Sequence, residues 1–392
     1  MQRTIRLFDE DAYAQNFSAH ILSIEEKKKT LSVILDQTLF FPEEGGQSPD
    51  RGELAGCVVQ DVQEEDGVII HTIKRSDPKA SALKEGDQVE GRIDWNHRFS
   101  NMQNHTGEHI LSGILYREYG YENVGFHLSE NQVTFDTSGP LTKEQVDDLE
   151  KKANEVVWQN HSVYAEYPSD SILQETFYRS KGEMEGRVRL VTIEDVDVCA
   201  CCAPHVKQTG EVGLIKILKS EKYKGGTRFT ILCGRRALAE VSKRQTQIEE
   251  LSHLFLEKQD QVVNAANRLL EENASLKEEH NRAQEERISR LAEEALASYA
   301  GTNIWIFDSG LDSIPQRNLV NTLRDRITGF AGVFVGTDTD GYRYIISGTE
   351  NAQIVQTLLK TTLGAKGGGK PEMIQGSVNA TRFQIESALS QL

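Results

Sequence analysis

Between residues 235 and 298 the chain contains neither proline nor glycine. That stretch is rich in Glu, Gln, Lys, Arg, Ala and Leu, which predicts a long helix or a helical hairpin. It separates an upstream portion from a shorter downstream one. One seven-residue series in it is apolar: Ile248, Phe255, Val262, Leu269, Leu276 and Ala283. The partner series, Leu251, Lys258, Ala265, Glu272 and Glu279, is not. A parallel coiled-coil dimer needs both series, so the expectation is a hairpin or a helix docked on one side.

The flanking portions have different textures. Residues 1–95 alternate short apolar runs such as "TLSVILD" and "VIIHTI" with turn residues, which predicts a small β-barrel. From Asn101 the apolar spacing becomes helical and stops at Gly120, and a second helix is expected around 142–160. Strand-like runs fill the remainder of 96–234, giving an α+β domain. The helical segment is assigned to 235–299. Residues 300–392 read as βαβ-like and predict a C-terminal α/β domain. The fold class expected of the whole is α+β.

No run approaches the roughly 20 apolar residues of a membrane helix. "MQRTIRLFDEDAYAQNF" lacks the apolar centre of a signal peptide, so a cytoplasmic protein with reduced thiols is expected. Its five cysteines are an odd number, which disfavours a disulfide framework and favours a metal site or a reactive thiol. The formal net charge of −16 argues against nucleic acid as a partner of the whole surface. Residues 216–229 and 364–370 are nevertheless locally basic.

Residues 199–206 read "CACCAPHV" and residues 104–111 read "NHTGEHIL". His105 and His109 stand four apart on a predicted helix and therefore share a face. Cys201 and His205 repeat the spacing. Two such pairs predict a Zn²⁺ site of His105, His109, Cys201 and His205, with Cys199 or Cys202 as substitutes for Cys201. "HTGEH" also matches the H-x-x-E-H pattern of a metallopeptidase family, with Glu108 as general base. "GAKGGGK" (364–370) fits the start of a phosphate-binding loop. Pro371 stands where that loop needs Ser or Thr, so no nucleotide triphosphate site is expected.

Taken together, these segments resemble the alanyl-tRNA editing proteins and the editing half of alanyl-tRNA synthetase. "VILDQTLFFPEEGGQSPDRGEL" (33–54) is similar to that family's glycine-rich barrel segment. "NHTGEHIL" is similar to its H-x-x-x-H motif, and "CCAPHVKQTGEVG" (201–213) to its C-x-x-x-H motif. "GAKGGGKPEMIQGS" (364–377) is similar to the synthetase's C-terminal domain. The family usually has "CGGTH" where this chain has "CCAPH".

The resemblance implies a zinc-dependent hydrolase that deacylates alanine tRNA carrying serine, with glycine as a second substrate. The chain starts at the barrel, which implies editing without charging. Thr38, Gly45, Gly46, Gln47 and His127 are the substrate-binding candidates, with a plain tight turn as the other reading of the two glycines and a satisfied surface histidine as that of His127. Lys366, Gly367, Gly368, Gly369 and Lys370 are candidates for tRNA contact in a glycine-rich loop, with a dimer contact as the alternative. The rival class is a zinc-stabilised tRNA-binding module without catalysis.

Overall fold

Six strands arise from the alternating segment: β1 (Asn16–Glu26), β2 (Thr30–Leu35), β3 (Gly52–Leu54), β4 (Cys57–Glu65), β5 (Val68–Lys74) and β6 (Gln88–Ile93). They pair in the order β1-β2-β5-β4-β3-β6 and close on themselves, because β1 pairs with both β2 and β6. The inward residues, including Phe17, Ile21, Val33, Leu35, Leu54, Val59, Ile69 and Ile73, form one core with Phe40 and Phe41. This computed structural model describes residues 2–130, 132–180, 187–298 and 301–392. It divides into two compact units, Met1–Ile248 and Glu249–Leu392.

The second core of the first unit is built around α1 (Trp95–Tyr119). The helix starts six residues before the Asn101 at which helical spacing becomes visible, because the Asp94 carboxylate accepts from the His97 N–H at 3.2 Å. It ends at Gly120 in the left-handed conformation, φ 65°. From Ser100 to Leu115 every residue is buried, so no polar stripe marks a solvent face. Buried polar groups are satisfied within the fold. Asn104, for example, donates to Ser100 O at 2.7 Å and accepts from Cys233 N–H at 2.8 Å.

Two sheets and a helix enclose α1. β7 (Asn123–Leu128), β8 (Val133–Thr137), β12 (Ile215–Tyr223) and β13 (Gly226–Cys233) form one antiparallel sheet, ordered β12-β13-β8-β7. β9 (Val163–Glu166), β10 (Leu190–Ile193) and β11 (Asp197–Ala200) form the other. The helix between them, α2 (Lys143–Gln159), starts at a capping box of Thr142 and Gln145.

The segment without proline or glycine forms two helices, α3 (Gly234–Phe255) and α4 (Val262–Ala297), interrupted at Leu256, whose φ is 53°. Many of its apolar residues remain exposed, among them Leu238, Leu254, Val263 and Leu270. The last turns of α4 dock on a core through Ile288 and Ala292, and Val262 and Ala265 are buried near its start.

In the second unit, β14 (Ile304–Asp308), α5 (Ser313–Arg324) and β15 (Phe330–Thr337) make a βαβ unit with parallel strands. β16 (Gly341–Gly348), α6 (Gln353–Leu363), β17 (Lys366–Lys370), β18 (Met373–Val378) and α7 (Arg382–Leu389) complete a sheet ordered β14-β15-β16-β18-β17. α5 packs on one face, and α6 and α7 on the other.

The expected glycine-rich loop at 364–370 is instead the edge strand β17, paired antiparallel to β18. Glycine is a poor strand former, but here space demands it: a Cβ on Gly367 would fall 2.4 Å from Gln375 O and 2.9 Å from the Tyr344 hydroxyl. On the free edge, Gln356 and Gln353 of α6 donate to the carbonyls of Gly367 and Gly369, at 2.6 and 3.1 Å. No described helix is long and apolar enough to cross a membrane.

Candidate metal centre

His105 and His109 project from one face of α1, and Cys201 and His205 come from the loop after β11. Arg189 pins that loop: its Nη1 donates to the carbonyls of Cys201 (3.0 Å) and Ala203 (2.9 Å), and its own carbonyl accepts from Cys201 N–H (3.0 Å). Cys201 Sγ then lies 3.6 Å from His105 Nε2 and 3.4 Å from His205 Nε2. With His109 these residues offer four donor atoms, all within 4.8 Å of one another. Tetrahedral zinc, with Zn–S about 2.3 Å and Zn–N about 2.0–2.1 Å, separates S from N by about 3.6 Å. The observed spacings fit that geometry.

A polar group stands near the Nδ1 of each imidazole, hydrogen-bonded at His105 and His205. Gln47 Oε1 lies 2.8 Å from His105 Nδ1, Thr106 Oγ1 lies 3.0 Å from His205 Nδ1, and Asp197 Oδ2 lies 3.4 Å from His109 Nδ1. This arrangement leaves Nε2 of each ring for the centre. Burial would raise the Cys201 thiol, but the surrounding imidazoles, His105 first, outweigh it and hold the thiol well below its ordinary value. Burial pushes His205 down to about 3, so its ring is neutral. A thiolate and a neutral imidazole are the ligand forms that a metal requires.

Gly45 and Gly46 explain how Gln47 reaches His105. Both have positive φ, 61° and 84°, and Glu44 and Gln47 exchange backbone hydrogen bonds across them. That is the two-residue turn of a tight hairpin. A Cβ on Gly46 would fall 2.3 Å from Phe126 O, so the turn is pressed against β7. Gln47 has no exposed surface, and its Nε2 is buried without a hydrogen-bond partner among the described residues.

The other candidates are placed less centrally. Thr38 is buried, with its hydroxyl 2.9 Å from His71 Nε2 and accepting from Phe40 N–H at 3.1 Å. His127 is exposed on β7, where side chains alternate faces. Its neighbour Phe126 meets the His105 ring at a 4.7 Å centroid distance, so His127 points away from the centre. The structure therefore does not bring His127 together with the four donors. Cys199 groups with His109 and Asp197, and Cys202 lies near Gly45, so Cys201 is the cysteine that joins the three histidines. Glu108 accepts from Ser112 and Asn123 and is not one of the four converging donors.

Asp197, Arg179, Thr106 and Arg189 were not singled out in the sequence. Thr106, one residue from His105, carried the only readable hint.

Two family descriptions match this chain. The second additional domain of threonyl and alanyl tRNA synthetases matches residues 188–230, the stretch that holds Cys201 and His205, and class II (A) tRNA synthetases match residues 8–97. Among individual relatives, the chain is similar to alanyl-tRNA editing protein AlaX-L of Pyrococcus horikoshii. The two are 32% identical over 247 residues, 61% of this chain and 60% of that protein. The alanine–tRNA ligase of Pyrococcus abyssi is 29% identical over 411 residues, covering 100% of this chain and 44% of the ligase. That of Pyrococcus furiosus is 34% identical over 283 residues, 69% of this chain and 30% of the ligase. The chain therefore spans less than two thirds of each.

Proposed function

We propose that this chain hydrolyses the ester linking a wrong amino acid to alanine tRNA, serine first and glycine second, at a zinc ion held by His105, His109, Cys201 and His205. The observation that carries the reading is the convergence of those four donors within 4.8 Å of one another, in a chain that aligns over 61% of its length with an alanyl-tRNA editing protein. Bound zinc supplies Lewis acidity for an ester carbonyl or an attacking water.

The protein's own groups do the rest. With Nε2 of His105 on the metal, its Nδ1 carries the proton and donates to Gln47 Oε1. The amide orientation is thereby fixed, and the unpartnered Nε2–H₂ of Gln47 is left as a donor for the substrate's developing oxyanion. His71 is buried and neutral, its pKa pushed down to about 4 by burial, and its Nδ1 donates to Val33 O at 3.1 Å. The Thr38 hydroxyl must then donate to His71 Nε2. Toward a substrate Thr38 can only accept, which suits a serine hydroxyl and gives alanine nothing. Four protein donors close a tetrahedral centre. His205 is the donor that gives way, since it borders a cleft of about 360 Å³ lined also by Tyr13, Arg189 and Lys207.

The second unit supplies a surface for the tRNA body. Lys366, Gly368 and Lys370 share one face of β17, opposite Ser377, Gln375 and Met373. Arg317 of α5 donates to Gln375 on that face at 2.9 Å, beside a cleft of about 670 Å³ lined by Arg343, Gln375 and the three glycines. A concave face with four cations and bare backbone suits phosphates.

A closed four-donor centre also suits a purely structural zinc, so a tRNA-binding module is the second reading. The test is release of labelled amino acid from alanine tRNA charged with serine or with alanine, side by side, with and without a chelator. Zinc-dependent release of serine but little alanine is expected. No release from either by zinc-loaded protein favours the binding module, and equal release removes the proofreading role.

A further inference from the structure

His109 differs from the other two histidines in what stands behind it. Gln47 and Thr106 are neutral partners, whereas Asp197 is a carboxylate. Its Oδ2 lies 3.4 Å from His109 Nδ1, with both side chains 3% exposed. Nδ1 has no hydrogen-bond partner among the described residues, and the Asp197 carboxylate stands beside it at ion-pair distance.

Asp197 is itself held. Arg179 Nε donates to Oδ1 and Arg179 Nη2 to Oδ2, both at 2.7 Å, a bidentate pair. The backbone of Arg179 is latched to the neighbouring strand, donating to Val198 O at 2.8 Å and accepting from Ala200 N–H at 2.8 Å. β11 thus carries Asp197, and the loop leaving it carries Cys201.

We infer that Asp197 and Arg179 are positioning residues for the metal ligand His109. The carboxylate accepts the Nδ1 proton, which commits Nε2 to the metal and makes the ring a stronger donor. Arg179 keeps Asp197 charged and at the angle His109 needs. The inference rests on the metal reading of the four-donor site and adds two residues to it.

His109, Asp197 and Cys199 also form a cluster whose donor atoms lie within 4.8 Å of one another, the makings of a second metal position. The Arg179 guanidinium argues against it, because it occupies both Asp197 oxygens and puts a fixed positive charge where a cation would sit. One metal with a relayed histidine is the consistent arrangement.

The test uses the full chain, zinc or Co²⁺ as probe, and two variants. Asp197→Asn removes the charge. The double variant Arg179→Gln/Asp197→Asn removes it without leaving a buried unpaired arginine. Competition against a chromophoric chelator gives zinc affinity, Co²⁺ absorption reports donor geometry, and circular dichroism of the zinc-saturated protein reports folding.

The expected result is one zinc per chain, affinity about 10–100-fold weaker in both variants, an altered Co²⁺ spectrum and an unchanged fold. Affinity within about twofold of the parent with an unchanged spectrum, in a folded variant, overturns the inference while leaving the metal reading intact. Two zinc ions per parent chain, one of them lost in Asp197→Asn, overturns it in favour of a second metal. A parent chain that binds no zinc overturns the metal reading and the inference together.

Discussion

Arg98 Nε lies 3.0 Å from each carboxylate oxygen of Asp50, and neither side chain has any exposed surface. Arg98 also donates to the carbonyls of Leu39 and Ala12, at 2.5 and 3.0 Å, and Asp50 accepts from Phe41 N–H at 2.7 Å. The start of α1 is thus tied to the glycine-rich segment by one fully satisfied ion pair. Asp50→Asn leaves a buried guanidinium uncompensated, and a loss of about 3–5 kcal/mol is expected in urea unfolding. Replacing both partners by apolar residues of similar volume should cost less. Equal losses would mean that the pair is not where the energy resides.

The buried His71 sets a pH dependence. Its folded pKa is near 4 and its unfolded value near 6.5, so between those values the unfolded chain binds the extra proton. Stability should therefore fall as pH drops from about 6.5 to about 4, by at most about 1.4 kcal/mol per pH unit from this group. Urea midpoints of the parent and His71→Gln, measured across that range, should differ in slope by that amount. Parallel curves would count against a buried neutral imidazole.

Removing the metal ligands should separate binding from fold. Cys201→Ser and His109→Ala are expected to lose stoichiometric zinc by elemental analysis. Thr106→Val, which takes away only the partner at His205 Nδ1, should keep zinc with an affinity about 10-fold lower. A Thr106 variant with parental affinity would show that His205 needs no such support.

Gly46→Ala should act at a distance. The left-handed φ of 84° alone costs about 1–2 kcal/mol for a residue with Cβ, and the contact with Phe126 O forces the turn away from β7. Weaker zinc binding is expected through the displaced Gln47, alongside lower stability. Stability loss with unchanged zinc affinity would uncouple the turn from the centre.

The charged face of β17 makes its own prediction. Lys366→Ala/Lys370→Ala should weaken tRNA binding and reduce the slope of log affinity against log salt by about 2. An unchanged slope would assign the face to another role.

The four donors were readable because helix periodicity and a repeated four-residue spacing are local signals, and each pair could be judged without the fold. A tight turn at Gly45 and Gly46 was readable too, though not its seat against β7. Asp197, Arg179 and Arg189 gave no such signal, since their roles depend on β11 lying alongside the 176–180 segment and on a loop folding over Arg189. β17 misled for a related reason. Its strand character comes from pairing with β18 and from the ring of Tyr344, while the residues "KGGGK" taken alone favour a turn. The exposed apolar residues of α3 and α4 show the reverse case, in which a helix is legible from composition but its packing is not.

Cys201 and His105 are 96 positions apart in the chain, and Cys201 packs against both cores of the first unit. A metal there works as a cross-link. It shortens the conformational reach of the unfolded chain in the way a disulfide closing a loop of about 100 residues does, an effect worth about 4–5 kcal/mol in the entropic description. It also imposes a schedule. During synthesis the histidine pair emerges long before its thiolate partner, so tight metal capture waits until the chain has grown past His205. On the proposed zinc reading, capture of the ion would follow synthesis of both cores that Cys201 touches.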